Sequence, residues 1–332
     1  MIVTLTFSPT IELSMSTGSI RPDDKLRCTS PRYEPGGGGI NVARVARELG
    51  ENALAVFPEG GATGASLLAL LEEMQLPVAS VHVGGWTREC FNVIERDTSH
   101  QYRFILPGVA IDGEEQDALL DLLGRHLSSG GVLIASGSLP PGTPNAIIGR
   151  LSDLAKRKGA RFLLDTSGPA LLAAHGAYLV KPNERELEEV TGQPLHEVED
   201  IVHAARRLVA AGVAGHILVS RGRKGALLVG AAAAFSFDPV AVDIRNAVGA
   251  GDSMMAGVAV GIARGLLIQE CVRRGIAAGT AAVMTDGSVL ARAEDVERLY
   301  ANVPAAVSLP HSRKMAEAPM SLRPVLPRRD AQ

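Results

Sequence analysis

The most informative stretch of the chain is 246–257, NAVGAGDSMMAG, where a glycine-containing turn leads into an acidic residue and an apolar helix. Gly249 and Gly251 let the backbone turn tightly, and the first N–H groups of the following helix have no partner within it. Those groups lie at the positive end of the helix dipole and predict an anion site suited to a phosphoryl group. Asp252 beside that site would accept the proton of a hydroxyl that attacks phosphorus. Its alternative role is a plain N-terminal cap of the helix.

A second candidate site is the glycine run 36–39, which precedes Asn41 and a helix predicted over Asn41–Leu49. Glycines let a ligand approach the backbone closely, and the Asn41 amide can both donate to and accept from sugar hydroxyls. The run matches neither the Walker nor the dinucleotide-binding pattern, because Asn41 takes the place of the last glycine. The alternative is a flexible loop, which the immediate start of a helix argues against.

Two oxygen-bearing side chains, Asn183 and Glu186, follow Pro182 in the segment VKPNERE at 180–186. They are three residues apart, so they share one side of a helix turn and could hold Mg²⁺ through waters and nucleotide phosphates. The same spacing is typical of a capping box, in which the two residues only start the helix. Such caps are far commoner than metal sites, so the spacing alone favours the cap.

A candidate nucleotide site is the segment VSRGRKGA at 219–226, which follows a predicted strand. The hydroxyl of Ser220 and the backbone N–H groups near Gly222 and Gly225 could hold nucleotide phosphates. A plain hairpin turn explains the same residues equally well.

Four cationic residues fall in segments that lack the helix–strand alternation of the rest of the chain: Lys25, Arg27, Arg88 and Arg103. Arginine forms paired hydrogen bonds to phosphate, so these residues suit a phosphorylated substrate. The alternative is a solvated strand face. Together, the candidate sites predict a phosphoryl-transfer enzyme that acts on a hydroxylated, anionic small molecule.

The elements that must position these residues alternate along the chain between short apolar strands and amphipathic helices. This pattern is typical of an α/β fold with a mostly parallel sheet flanked by helices. Strands are predicted at Ile2–Thr6, Ala53–Phe57, Val132–Ser136, Arg161–Leu164, Tyr178–Val180 and His216–Ser220, and further helices at Ala146–Lys158 and Val198–Ala211. Residues from about 10–34 and 86–107 instead predict short strands of a small separate sheet, which could cover a cleft or pair with another subunit.

Composition limits the classes of protein that the chain can represent. Its 332 residues are 46% hydrophobic, with a net charge of -3 and a pI near 6.3, which argues against a nucleic-acid or membrane-surface protein. The three cysteines form no CxxC pair, so we expect no disulfide framework and no zinc site. We therefore expect the protein to be located in the reducing cytoplasm. The N-terminal segment MIVTLTFSP lacks a basic region and predicts a strand rather than a signal peptide.

The carboxyl-terminal segment differs from the rest. Residues 304–332 contain several prolines and arginines without periodicity, so we expect a flexible tail after a kinase domain over 1–303.

The chain resembles the ribokinase-like PfkB family of carbohydrate kinases from the first strand to about residue 302. The resemblance rests on KLRCTSPRYEPGGGGINVARVARELG, FPEGGATG, QYRFILPG, SGSLPPG, VKPNERE and VGAGDSM, which occur in the family's order. It implies a ribokinase-like fold with a small β-sheet lid, and ATP-dependent phosphorylation of a sugar phosphate. Fructose 6-phosphate is the expected acceptor, and tagatose 6-phosphate and fructose 1-phosphate are the alternative acceptors. An alternative function is that of a catalytically silent sensor that binds a sugar phosphate.

The resemblance also assigns a role to each candidate residue. Asp252 would be the catalytic base, beside an anion hole formed by Gly249, Ala250 and Gly251. The residues that would bind the sugar phosphate are Glu12, Lys25, Gly37, Gly38, Gly39, Asn41, Arg88, Arg103 and Ser138. Lys25 would reach in from the partner subunit of a homodimer joined through the lid sheets. The residues that would bind ATP and Mg²⁺ are Lys181, Asn183, Glu186, Ser220, Gly222 and Gly225, with Asn183 and Glu186 holding Mg²⁺ through water.

Two positions depart from the family's pattern. Glu12 stands where the family usually has an aspartate, and its extra methylene leaves the preferred sugar open. Asn246 and Ala247 replace the small hydroxyl residues often found before VGAGD. Adenine contacts are therefore not carried over to these positions, and a monovalent cation remains a candidate cofactor only.

Overall fold

The structure, a computed structural model, describes residues 1–285 and 289–310. The strands are β1 (Ile2–Leu5), β2 (Thr10–Thr17), β3 (Arg32–Gly36), β4 (Ala53–Glu59), β5 (Val78–His82), β6 (Arg88–Glu95), β7 (Gln101–Ile105), β8 (Val132–Ser136), β9 (Arg161–Asp165), β10 (Ala177–Val180), β11 (Ala214–Ser220), β12 (Ala226–Gly230), β13 (Ala234–Phe237) and β14 (Val307–Leu309). The helices are α1 (Gly38–Glu48), α2 (Gly61–Glu73), α3 (Gly113–His126), α4 (Ala146–Lys158), α5 (Pro169–Leu172), α6 (Glu184–Thr191), α7 (Val198–Ala210), α8 (Ala250–Ala263), α9 (Ile268–Val283) and α10 (Ala293–Tyr300).

The main sheet has ten strands in the order β14-β13-β12-β11-β10-β9-β8-β1-β4-β5. Neighbouring strands from β11 to β5 pair in parallel, whereas β12, β13 and β14 add an antiparallel edge. The carboxyl ends of the parallel strands therefore open on one edge of the sheet, where ligands bind in α/β folds.

Both faces of the main sheet are covered, which explains why its strands are apolar along their whole length. Adjacent residues of β8 show this directly, because Val132 and Ile134 belong to one core cluster while Leu133 and Ala135 belong to the other. The first core includes residues of α1, α8 and α9, and the second includes residues of α3, α4 and α7.

The small lid sheet predicted from the sequence is present, with four strands in the order β3-β2-β6-β7. β2 pairs antiparallel with β3 and parallel with β6, and β7 completes the β6 hairpin. The register places Glu12 opposite both Glu34 and Cys90, and Asn92 opposite Arg103. Because residues two apart on a strand share a face, Glu12, Glu34, Arg88 and Arg103 all lie on the same face of the lid.

The predicted fold class is confirmed, and the structure corrects two boundaries. The helix predicted from Asn41 begins earlier, at Gly38, so that Gly38 and Gly39 form part of its first turn. The tail predicted from residue 304 begins later, because Val307–Leu309 pairs with β13 at the edge of the main sheet. Residues 311–332 of that predicted tail lie outside the described residues.

Cys28, Cys90 and Cys271 are all free thiols in the structure. Among the described residues, the structure contains no helix with the length and apolar character needed to cross a bilayer.

Candidate active site

Asp252 lies in the first turn of α8 and is held by two side chains from other elements. The N-cap of α8 is Gly249, with φ of 75°, so the alternative role of Asp252 as the cap is wrong. The Asp252 carboxylate instead accepts a hydrogen bond from Asn41 Nδ2 at 2.9 Å and another from Ser136 Oγ at 3.2 Å. Positive φ at Gly249 is costly for any other residue, and an added Cβ would lie 2.5 Å from Leu290 Cδ2.

The protonation behaviour of Asp252 suits a proton acceptor near neutral pH. Burial, followed by the charge of Asp165, raises the pKa of Asp252 to about 6, while hydrogen bonds from Asn41 and Ser136 and the charge of Lys181 oppose the rise. A general base works best when its pKa is near the working pH. The carboxylate is therefore mostly ionised at neutral pH, yet remains basic enough to take a proton.

The glycine run brings α1 close enough to the sheet for Asn41 to reach this carboxylate. A Cβ added at Gly38 would collide with Ser136 Oγ, and one added at Gly39 would lie 2.5 Å from the carbonyl oxygen of Leu5. These glycines are therefore required by the packing of the helix start against β1 and β8. Both polar ends of the Asn41 amide are occupied, since its Oδ1 accepts from Arg44 Nη1 at 3.3 Å.

A buried ion pair between Lys181 and Asp165 lies beside Asp252. Lys181 Nζ is 2.9 Å from Asp165 Oδ2, and the Lys181 side chain is only 5% exposed. Burial lowers the pKa of Lys181, but the charges of Asp165, Glu186 and Asp252 outweigh burial and raise it overall. A Cβ on Gly251 would lie 3.5 Å from Lys181 Nζ, so this permanent positive charge adjoins the helix start that should bind a phosphoryl group.

Asn183 and Glu186 form a reciprocal capping box at the start of α6. Asn183 Oδ1 accepts from the Glu186 N–H at 2.9 Å, and Glu186 Oε2 accepts from the Asn183 N–H at 2.8 Å. The structure thus shows the cap that the spacing favoured. Burial raises the pKa of Glu186, and the neighbouring Asp165 adds to the rise. In the part of the chain that is described, no group of three or more His, Cys, Asp or Glu residues is arranged to hold a metal ion.

A cavity of about 470 Å³ opens beside the start of α8. Its wall combines backbone-rich glycine positions with apolar side chains, as expected of a nucleotide pocket. The predicted nucleotide residues among its lining are Ser220, Gly222 and Gly225, together with Ala250 and Gly251 of the predicted anion hole. Apolar lining comes from Val240, Val242, Ile244, Met254 and Ile276.

Comparison with known proteins decides the family. The pfkB family carbohydrate kinase profile matches residues 6–294. The chain is 41% identical over 300 residues to an ATP-dependent 6-phosphofructokinase isozyme 2 of Mycobacterium tuberculosis, covering 90% of this chain and 88% of that protein. The chain belongs to the pfkB family of carbohydrate kinases. It is therefore an ATP-dependent phosphotransferase with a sugar hydroxyl as acceptor.

Solved structures agree with this assignment. The kinase superimposes on the Escherichia coli phosphofructokinase-2 in complex with potassium with a TM-score of 0.87 and 40% identity, covering 91% of this chain and 98% of that one. The same enzyme in complex with fructose-6-phosphate gives a TM-score of 0.85 at 39% identity, with coverage of 91% and 98%.

The cationic residues of the lid differ in how tightly this kinase holds them. Arg88 donates to the carbonyl oxygens of Leu106 at 3.0 Å and Ser8 at 3.1 Å, whereas Arg103 Nε donates to Asn92 Oδ1 at 3.0 Å. Arg88 Nε is buried and has no hydrogen-bond partner within the residues that the structure covers. Lys25 lies in an exposed segment outside the strands, so its predicted role from a partner subunit stays a prediction.

Sequence reasoning missed Ser136, the first serine of SGSLPPG, which is buried and donates to Asp252. Ser138 is exposed, and its predicted contact with the sugar stays a prediction. Sequence reasoning also missed Asp165, the partner of Lys181. A charged residue that directly ends an apolar strand, as in RFLLD at 161–165, is the pattern that could have identified Asp165.

Proposed function

We propose that this kinase transfers the γ-phosphoryl group of ATP to fructose 6-phosphate, giving fructose 1,6-bisphosphate and ADP. The observation that carries the proposal is the placement of Asp252. Its carboxylate lies in the first turn of α8, next to Ala250 and Gly251, which line a nucleotide-sized cavity, and it has a pKa of about 6. A carboxylate beside an anion site is electrostatically unfavourable, so its presence there favours a role in the chemistry.

The reaction requires one proton transfer and one exchange of bonds at phosphorus. The sugar hydroxyl attacks the γ-phosphorus, its proton passes to the Asp252 carboxylate, and the bond between the γ-phosphorus and the ADP oxygen breaks. The N–H groups of Gly249, Ala250 and Gly251 face the charge that develops on the transferring group, and Lys181 adds a fixed positive charge beside them.

ATP occupies the cavity beside α8 in this proposal. Ser220, Gly222 and Gly225 line one side, and the small residues at the start of α8 line the other. The side chains near the expected phosphates fit Mg²⁺, because carboxylate and amide oxygens are its preferred ligands. Glu186, with Asn183 beside it, would hold Mg²⁺ through water, and the ion would neutralise charge on the nucleotide phosphates. A monovalent cation is a further candidate, in line with the potassium complex of the E. coli relative.

The sugar phosphate lies against the polar face of the lid. Glu12, Arg88 and Arg103 share that face, which supplies an acceptor for hydroxyl groups and donors for a phosphate. Arg88 is only partly buried, so its positive charge is available to attract the phosphate. Gly37, Gly38 and Gly39 carry the backbone past the same point, and Ser138 is exposed at the carboxyl edge of β8.

We further propose that two copies of the chain associate through their lids. Three aromatic residues lie on the face opposite Glu12 and are exposed: Tyr33 at 51%, Tyr102 at 36% and Phe104 at 54%. An exposed apolar face on a small sheet favours pairing with another subunit. Such pairing would bring Lys25 of one subunit to the site of the other. Sedimentation of the wild type and of Phe104→Ser tests this, and an unchanged mass in the variant would argue against a lid interface.

A coupled assay of ADP release tests the proposed reaction. The wild type should turn over fructose 6-phosphate with higher kcat/KM than tagatose 6-phosphate, fructose 1-phosphate or free fructose. Preferred turnover of another sugar phosphate would reassign the substrate. Binding of sugar phosphates without ADP release would instead support the sensor alternative.

A further inference from the structure

Arg44 contacts Asn41, the side chain that donates a hydrogen bond to the proposed base Asp252. It lies one helix turn after Asn41 on α1, and its Nη1 donates to Asn41 Oδ1 at 3.3 Å and to the Pro35 carbonyl oxygen at 3.0 Å. Asn41 in turn donates from Nδ2 to Asp252 Oδ2 at 2.9 Å. A continuous hydrogen-bond chain therefore joins the end of the lid strand β3 to the catalytic carboxylate.

The chemistry of the three groups fixes the direction of this chain. A guanidinium group has only donors, so the amide atom that faces Arg44 must be the oxygen. The amide NH₂ group then faces Asp252, which accepts hydrogen bonds when ionised. Without Arg44, the Asn41 amide could turn over and place its oxygen against the ionised carboxylate, which would remove a donor from the base and add repulsion.

Two carboxylates of the lid act electrostatically on Arg44. Burial lowers the pKa of Arg44, and the charges of Glu34 and Glu12 oppose that effect. Glu34 is 3% exposed, and its Oε1 lies 2.9 Å from Arg32 Nη2. Its Oε2 is buried without a hydrogen-bond partner among the described residues, which makes the charge of Arg44 the more important for Glu34.

We propose that Arg44 is a positioning residue of the kinase: it sets the orientation of the Asn41 amide and thereby keeps Asp252 ionised and aimed. The inference rests on the proposed role of Asp252 as the base. Asn41 and Ser136 donate hydrogen bonds to Asp252, and the charged groups that act on it are Asp165 on β9 and Lys181 after β10. Neither contacts Arg44 through any described hydrogen bond or ion pair, so a change at Arg44 acts on the base from the α1 side.

The test is a double-mutant cycle between Arg44 and Asn41, with kcat, both KM values and the pH profile measured for each protein. Arg44→Met should lower kcat about ten-fold, the loss expected when a charged group loses one hydrogen bond, and should shift the acid limb of kcat/KM to higher pH. The KM for ATP should change by less than about two-fold, which is the size of effect expected of an ordinary surface substitution. Arg44→Lys keeps a donor and should restore part of kcat.

The decisive comparison is made in the Asn41→Ala background. If Arg44 acts through the amide, adding Arg44→Met to Asn41→Ala should change neither kcat nor the pH limb. Multiplying effects, or a pH shift that persists in the Asn41→Ala background, would overturn the proposal in favour of a direct charge effect. Arg44→Lys is carried through the same cycle, so the comparison stands even if Arg44→Met folds poorly.

Arg47→Met is the matched control, because Arg47 is exposed on the same helix and should leave activity unchanged. Failure of this inference is distinguishable from failure of the proposed function. A wild type and an Arg47→Met variant that release no ADP with any sugar phosphate would contradict the function itself. Active controls with independent effects of Arg44 and Asn41 would overturn only the role of Arg44.

Discussion

Lys181 and Asp165 form a buried ion pair directly beside the Asp252 carboxylate, with Lys181 Nζ 2.9 Å from Asp165 Oδ2. The pair affects Asp252 in two opposite ways, since Asp165 raises the pKa of Asp252 and Lys181 lowers it. Asp165 also keeps Lys181 protonated in an environment where burial alone would favour the neutral amine. The pair therefore supplies a positive charge beside the start of α8, where we propose that the phosphoryl group binds, without fully suppressing the basicity of Asp252.

The first prediction concerns proton transfer. Asp252→Asn should lower kcat by roughly 10²–10⁴, the usual contribution of a positioned base, while ATP and sugar phosphate still bind. Initial rates and equilibrium binding of both ligands check this. Asp121→Asn, at an exposed position of α3, is the control for loss of a carboxylate. An Asp252→Asn enzyme with near wild-type kcat would refute the assignment of the base.

The second prediction is a pH dependence of stability caused by the same residue. The pKa of Asp252 is about 6 in the folded protein against an ordinary 3.8. Because the folded-state value is raised, the favourable contribution of protonated Asp252 is complete below pH 3.8 and is lost as pH rises through 6. Asp252→Asn does not titrate, so relative to the wild type it should gain up to about 3 kcal/mol of unfolding free energy between pH 4 and 7.

Denaturant unfolding of both proteins at several pH values measures this difference. Asp121→Asn, at an exposed position of α3, is measured in parallel as the control for loss of a surface carboxylate. A stability difference between Asp252→Asn and wild type that does not change with pH would show that Asp252 titrates with an ordinary pKa.

The third prediction concerns the ion pair. Lys181→Met removes one partner of a buried pair and leaves Asp165 uncompensated, which should lower the free energy of unfolding by about 3–5 kcal/mol. The double variant Lys181→Met with Asp165→Asn should recover much of that stability, since no buried charge is left unpaired. It should not recover kcat, because the positive charge beside the phosphoryl site is still missing. Lys158→Met, at an exposed position in α4, is the control.

The sequence was enough to predict the fold class and to single out Asp252 as the candidate base, because both depend on local patterns. Apolar strands, glycine turns and a carboxylate after a glycine turn are all visible within a few residues. The partners of the base were less accessible. Ser136 is separated from Asp252 by 116 residues, and only the packing of α8 against β8 places its hydroxyl on the carboxylate. The Lys181–Asp165 pair depends in the same way on the neighbouring positions of β9 and β10.

Cap geometry was the other point that the sequence could not decide. A glycine turn followed by aspartate permits Asp252 to be either a cap or a functional group, and the cap is excluded because Gly249 occupies that position. At Asn183 and Glu186 the cap is present, because both reciprocal hydrogen bonds are formed, and their water-mediated contact with Mg²⁺ stays a prediction. The spacing of the residues along the chain is the same for a helix cap and for a functional side chain. Only the hydrogen-bond partners of each side-chain oxygen distinguish the two.

The fourth prediction separates the two ligand sites. Arg103 is exposed and contacts Asn92, so Arg103→Ala should leave the fold intact and remove a donor for the sugar phosphate. The KM for the sugar phosphate should rise about 10-fold or more, the loss expected for one charge-assisted hydrogen bond, with the KM for ATP unchanged. Arg96→Ala, an exposed arginine of the same hairpin, should change neither value. If only the KM for ATP rose, the prediction would be contradicted, because Arg103 would then act on ATP rather than on the sugar phosphate.

The last prediction concerns Glu12, which stands where the family usually has an aspartate. Glu12 lies opposite Glu34 on the polar face of the lid, and its Oε1 would be 2.9 Å from a Cβ added at Gly36, at the start of the glycine run. This placement brings the carboxylate to the start of the glycine run that leads into Asn41. An acceptor there should contact sugar hydroxyls without taking part in proton transfer.

Glu12→Asp should retract the carboxylate by one methylene, and a hydrogen bond displaced that far is mostly lost. The ratio of kcat/KM for fructose 6-phosphate and tagatose 6-phosphate should therefore change by about 10-fold, because the two sugars differ in one hydroxyl. Glu12→Ala should raise the KM for both sugars further and leave the KM for ATP unaltered, since Glu12 does not line the nucleotide cavity. Glu89→Asp, the neighbouring acid on β6, makes the same one-methylene change on the opposite face of the lid and should leave the ratio as it is in the wild type. If the ratio stays constant in all of these proteins, Glu12 does not distinguish the sugars, and discrimination must come from Asn41 and the lid arginines.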